Sequence, residues 1–288
     1  MTQSCAILAA QSFVGRERSV TSPINLSQLV FEAPAFQATQ VDTPDGGQLA
    51  ASCIAARAQD VAAALKKAGA GPDEPVVLFI SNTPEDLAGF LGIWLAKAVA
   101  VPVHITTPKR AFETLSRRLG SRFAIRNLAL EISDRAAPPQ RPLLRGAALI
   151  VFTSGSTGKP KGVVLSHRGL GWKLQVLQRL LQLSKGETVA VSLQLTFVFG
   201  IWVSLLSLMS GLRLLLAPKL SASAMRQHTS AVSILATVPT SLRGLCADDP
   251  VDLPGLRKIL TGGEPFQPEL AANLAARFPQ AGVFDLFG

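Results

Sequence analysis

Residues Thr153 to Gly162 read Thr-Ser-Gly-Ser-Thr-Gly-Lys-Pro-Lys-Gly. The run holds four hydroxyls, three glycines, two lysines and no acid. Glycines let backbone N–H groups approach phosphate oxygens closely. Hydroxyls add donors, and lysine adds positive charge without a fixed geometry. The chemistry that uses such a set is the wrapping of a polyphosphate. The run is not a Walker loop: Gly155 and Gly158 stand too close together, and Pro160 follows Lys159. Nor does a Gly-x-Gly-x-x-Gly follow a strand, so a dinucleotide fold lacks its fingerprint. A flexible Gly/Ser linker is the plain alternative. It fits poorly between the apolar run Ala147 to Phe152 and the amphipathic stretch that follows.

The elements around the loop alternate between strand and helix. Ile54, Ala58, Val61, Ala62 and Leu65 share one face of a helix over 52–67, and Gly69 stops it. Residues 76–80 form a buried strand. Thr83-Pro84-Glu85-Asp86 starts a helix that runs to about Ala98, with a capping hydroxyl, an N1 proline and acids at the positive end of the dipole. The spacing predicts further strands at 99–103, 189–193, 212–216, 233–236 and 258–260. Ser166 caps a helix carrying Leu170, Leu174, Leu177 and Leu181, and helices follow at 200–209, 240–245 and 268–277. The fold class is α/β, with largely parallel sheets layered with helices. The proline-rich stretch 136–142 is the candidate linker. It divides a block at 1–145 from a phosphate-loop block at 146–288.

Composition narrows the function classes. The chain is 48% apolar with a mean hydropathy of +0.33. Cys5, Cys53 and Cys246 lack metal or disulfide spacing and read as reduced thiols of a cytoplasmic protein. The N-terminus has no basic residue ahead of its apolar patch and makes a poor secretory signal. The apolar run 189–216 is interrupted by Gln194, Gly200, Gly211 and Arg213, so it reads as strand, helix, strand and not as a transmembrane segment. The net charge is +9, much of it between Lys109 and Arg145, where nine basic residues face three acids. No aromatic interleaving or nucleic-acid motif accompanies them. That stretch reads as a solvated basic face and not as a nucleic-acid site, with steering of CoA or ATP as the second use.

From Phe152 through Val163-Val164-Leu165-Ser166-His167 the chain resembles the phosphate-binding signature of the adenylate-forming superfamily. That superfamily comprises acyl- and aryl-CoA synthetases, peptide-synthetase adenylation domains and firefly-type luciferases. The resemblance implies ATP-dependent activation of a carboxylic acid to an acyl-adenylate, with Mg²⁺, and transfer to the thiol of CoA or of a carrier phosphopantetheine. Where the acceptor is a carrier thiol, an acyl carrier protein is the partner. It implies that Thr153, Ser154, Gly155, Ser156, Thr157, Gly158 and Lys161 hold the β,γ-phosphates, with Thr153 and Lys161 as the catalytic pair.

Further segments resemble the family's pocket elements, in order. Thr261-Gly262-Gly263-Glu264, with Asp285 and Phe287, would border the adenosine. Val238-Pro239-Thr240 and Leu195 to Trp202 would border the acyl group through Phe197, Gly200, Val238 and Pro239. Amino-acid-activating members place an aspartate at the position aligned with Phe197. A phenylalanine cannot pair an ammonium, which implies a fatty or aromatic acid and not an α-amino acid.

The chain stops one residue before the family's Thr-Glu pair, whose glutamate serves Mg²⁺, so no metal ligand is assigned. It thus resembles an incomplete N-terminal domain of the acyl-CoA synthetase-like branch, without the C-terminal lid. Such a chain is expected to expose an unpaired sheet edge, to be inactive or weakly active alone, and to be marginal, aggregation-prone or completed by a partner, of which a separately encoded C-terminal half is one candidate. The alternative is a truncated, non-catalytic remnant or nucleotide-binding scaffold.

Overall fold

The structure, a computed structural model, describes residues 24–43, 46–136, 141–153, 161–216, 231–247 and 252–286. Two sheets organise them. The first has the strand order β6-β5-β3-β4-β7-β8. Its strands are β3 (Pro75–Ile80), β4 (Val99–His104), β5 (Phe123–Arg126), β6 (Ala129–Ile132), β7 (Ala147–Thr153) and β8 (Lys161–Ser166). The second has the order β13-β12-β11-β9-β10-β1-β2. It comprises β1 (Gln40–Asp42), β2 (Gln48–Ala50), β9 (Thr188–Val191), β10 (Arg213–Leu216), β11 (Ile234–Ala236), β12 (Lys258–Thr261) and β13 (Gly282–Asp285). Pairing is parallel except at β1–β2, β5–β6 and β7–β8. Each sheet draws strands from both sides of Gly146.

A large apolar core fills the space between the sheets. It takes residues from α1 (Leu26–Phe31), α2 (Ala51–Lys67), α3 (Pro84–Leu95), α5 (His167–Leu181) and α6 (Val198–Ser210). Helix α4 (Lys109–Leu119) covers the outer face of the first sheet, where Phe112, Leu115 and Leu119 meet Val77, Phe79 and Val101. Helices α7 (Pro239–Ala247) and α8 (Pro268–Arg277) cover the outer face of the second. The layers therefore run helix, sheet, helices, sheet, helices. Strands β3 and β9 are buried along their whole lengths, as parallel strands covered on both faces must be.

The expected elements at 52–67, 76–80, 99–103 and 268–277 stand within a residue of their predicted ends, and 189–216 is strand, helix, strand. Three differences have physical causes. The phosphate-loop run was expected to join a strand to a helix; instead β8 returns antiparallel to β7 before α5 begins, pairing Thr153 with Lys161. Val163-Val164-Leu165 favours that extended return. Helix α3 ends at Leu95, because Lys97 adopts a left-handed φ of 62°. The basic stretch is partly used internally: Arg122 pairs with Glu74 at 2.7 Å, and Arg126 lies 3.5 Å over the Phe79 ring.

Two buried polar groups and one glycine hold the central layer. Asp86 Oδ2 accepts hydrogen bonds from the Ser81 and Thr83 N–H groups at 2.9 and 3.0 Å. Burial nevertheless raises its pKa to about 6. His167 Nδ1 accepts the Leu26 N–H at 3.2 Å, and its ring meets Trp94 edge-on. Burial lowers its pKa to about 4, against a weaker opposing pull from Asp73. At Gly92 a Cβ would lie 2.6 Å from Val61 and 2.7 Å from the Ala58 carbonyl oxygen, so α2 and α3 pack backbone to backbone there.

Gly92→Ala should destabilise the chain by about 1–3 kcal/mol in urea unfolding, by wedging these helices apart. Unchanged stability would contradict the close packing. A histidine whose folded pKa lies below its unfolded value weakens the fold as pH falls from about 6.5 towards 4. Asp86, raised, acts oppositely: its contribution is lost as pH rises from about 4 to about 6. Comparison with His167→Gln isolates the histidine. The stability gap between wild type and variant should shrink by about 1–2 kcal/mol between about pH 7.5 and about pH 5. A gap independent of pH would show that His167 is not held neutral by burial.

Candidate active site

In an open parallel sheet, ligands bind beyond the carboxyl ends of the strands. Four adjacent parallel strands, β9, β11, β12 and β13, end in the segments singled out from sequence. Beyond β9 lies Ser192 to Phe197, beyond β11 Thr237 to Thr240, beyond β12 Gly262 to Glu264, and at the end of β13 Asp285.

Their backbones interlock. Ser192 N–H donates to the Ala236 carbonyl at 2.8 Å, Thr237 N–H to Leu260 at 3.0 Å, and Leu286 N–H to Thr261 at 2.7 Å. At Gly262 a Cβ would lie 2.6 Å from the Leu286 carbonyl oxygen, and Gly263 has a left-handed φ of 81°. The glycine pair is thus required by geometry, first for close approach and then for the turn.

The first sheet reaches the same place. Asn82, the second residue after β3, has a left-handed φ of 61°. Its Oδ1 accepts the Leu195 N–H at 2.7 Å, and both residues are buried. The carboxyl ends of β3 and β9, in different sheets, are therefore tied together. Strands β4 and β7 run parallel to β3, so Thr153 stands at that shared end, with Lys161 opposite it across the hairpin. Ser154, Gly155, Ser156, Thr157, Gly158 and Phe287 lie outside the described residues. Thr153 and Lys161 are exposed.

The predicted residues take different jobs. Glu264 accepts from the Thr240 N–H at 3.0 Å and the Thr240 hydroxyl at 2.5 Å. Its carboxylate caps the N-terminus of α7 and welds the Gly-Gly turn to Val238-Pro239. Gly200 is buried, and a Cβ there would lie 2.6 Å from the Gln194 carbonyl oxygen. Phe199 stacks on Trp202 at 5.0 Å and is half-buried against the core, whereas Phe197 stands at the N-terminus of α6 and is 60% exposed. Pro239 is buried and Val238 half-buried. Asp285 is exposed, paired in register with Thr261.

Sequence reasoning missed Asn82. Its signal was an asparagine between a buried strand and a capped helix, a position that favours a left-handed residue. Among the described residues no three His, Cys, Asp or Glu side chains gather to hold a metal.

The family profile of AMP-binding enzymes matches residues 32–143 and 126–288. The chain belongs to this family. Among curated proteins it is 30% identical over 240 residues to the nonribosomal peptide synthetase CymA of Salinispora arenicola (strain CNS-205), which covers 81% of this chain and 3% of CymA. It is 27% identical over 246 residues to surfactin synthase subunit 1 of Bacillus subtilis (strain 168), covering 77% and 7% of the two. The chain thus spans a small part of these relatives. MatB of Rhodopseudomonas palustris, solved with ATP bound, superposes with a TM-score of 0.76 at 19% identity over 92% of this chain and 59% of MatB. That likeness shows the fold: this AMP-binding chain has the architecture of part of an adenylate-forming enzyme. No helix of the described residues is long and apolar enough to cross a membrane.

Asn82→Ala and Asn82→Gly should each destabilise the chain by about 1–3 kcal/mol, since both orphan the buried Leu195 N–H. Glycine should be the milder by about 1 kcal/mol, because it tolerates the left-handed backbone. Equal stability of both variants and wild type in urea titration would refute the bridge.

Proposed function

We propose that this chain binds ATP where the two sheets' strand ends meet, and serves the activation of a carboxylic acid. A carboxylate oxygen attacks the α-phosphorus, the bond to the bridging oxygen breaks, and pyrophosphate leaves with the electron pair. The thiol of CoA or of a carrier phosphopantetheine then attacks the acyl carbon and gives up its proton, the carbon–oxygen bond to the phosphate breaks, and AMP leaves with the electron pair. The observation that carries this reading is the tie between Asn82 and Leu195. With Thr153 and Lys161 at the same end as the four strand ends of the second sheet, in a chain of the AMP-binding family, it supports a shared site.

In this reading Lys161 and the hydroxyls and N–H groups of 153–158 steady the charge on the leaving pyrophosphate. The Gly262-Gly263 turn, with Asp285 and Phe287, borders the adenosine. Phe197, Gly200, Val238 and Pro239 border the acyl group. The acid is fatty or aromatic: residues 193–202 contain no carboxylate to pair an ammonium. A second reading, an amino acid, is favoured by the peptide-synthetase relatives.

Carboxylate-dependent ATP–pyrophosphate exchange tests both. Exchange with long-chain or aryl acids supports the first reading, exchange with amino acids alone the second. ATP binding without exchange for any acid would leave a nucleotide-binding scaffold. Lys161→Ala should weaken ATP binding about ten- to hundredfold, the value of one charge-assisted contact. Unchanged affinity would remove Lys161 from the site.

A further inference from the structure

Helix α5 carries an apolar ridge that the fold leaves uncovered. Leu170, Leu174, Leu177 and Leu181 are buried against the core. On another face, Trp172, Val176 and Leu180 stand 66%, 40% and 50% exposed. They are spaced four residues apart, so they form one row about 12 Å long. Arg168 and Arg179, both exposed, fall on the same face. No Asp or Glu occurs between His167 and Gln182.

A tryptophan left two-thirds exposed beside two aliphatic residues has the composition of an interface centre, and arginines suit its rim. The row is one residue wide, with Gln175 and Arg179 beside it. A helix lying in a lipid surface needs a broad apolar face. A narrow ridge instead seats in the groove of a second helix.

We propose that this face of α5 docks an acidic amphipathic helix of a partner protein. The partner's apolar side would receive Trp172, Val176 and Leu180, and its carboxylates would meet Arg168 and Arg179. The surface is independent of the acid that the strand ends activate.

The chain's other two tryptophans, Trp94 and Trp202, are buried, so acrylamide quenching of intrinsic fluorescence reports Trp172. The probe is a synthetic helix with leucines at three- and four-residue spacing flanked by glutamates, added to the full chain. The account expects protection of Trp172 that weakens with salt, and roughly tenfold weaker binding to the Arg168→Glu, Arg179→Glu double variant. The variant's circular dichroism should be unchanged, because both positions are exposed. Any of four results would overturn the proposal. These are no protection, equal protection by the same peptide with lysines for glutamates, protection by the chain's own concentration alone, or protection by phosphatidylglycerol vesicles but not by the peptide.

Discussion

The placing of the site depends on one hydrogen bond between the sheets, from the Leu195 N–H to Asn82 Oδ1. A large apolar core fixes how far apart the sheets stand, but burial is non-directional. It does not by itself decide which strand ends face each other. A buried amide bonded to a buried N–H does, because either group left alone costs about 1–3 kcal/mol. Asn82 accepts the left-handed backbone that lets the chain turn from β3 into α3 while its side chain reaches the other sheet. Asp86 then organises the same turn by accepting from Ser81 and Thr83. The reach across the sheets and the start of the helix thus share one short segment.

On the second sheet, rigidity comes from successive strand ends bonding to their neighbours. The chain beyond β9 bonds to β11, that beyond β11 to β12, and that beyond β13 back to β12. The Glu264 carboxylate adds a tie from the Gly-Gly turn to the start of α7. Backbone-lined turns of this kind leave room beside a flat ligand. At Gly200 and Gly262, among these strand ends, a side chain is excluded because backbone meets backbone.

Much of this was legible in the sequence, because the strongest signals are local. Apolar periodicity located α2, β3, β4 and α8, and the caps at Thr83 and Ser166 marked helix starts. The segments singled out after β9, β11 and β12 do follow adjacent parallel strands, since parallel α/β folds bring strand ends to one edge. Long-range facts were not legible. Nothing local says that β1 and β2 join the second sheet beside β10, or that Glu264 bonds Thr240. The antiparallel return of β8 was missed because the glycines and lysines of the loop masked a short β-branched run. Phe197 and Phe199 looked alike in sequence, yet the turn into α6 exposes the first and stacks the second on Trp202.

The central claim is that the hairpin bearing Thr153 and Lys161 and the four strand ends of the second sheet form one site, shared by the nucleotide and the acid. Amide hydrogen exchange with and without MgATP tests it most directly. The account predicts protection of the amides at 153–161 and 261–264 by MgATP, extending to 192–197 and 237–240 when a carboxylic acid is added, with the outer faces under α4 and α8 unchanged. Protection confined to the hairpin, or centred on the basic helix α4, would contradict it.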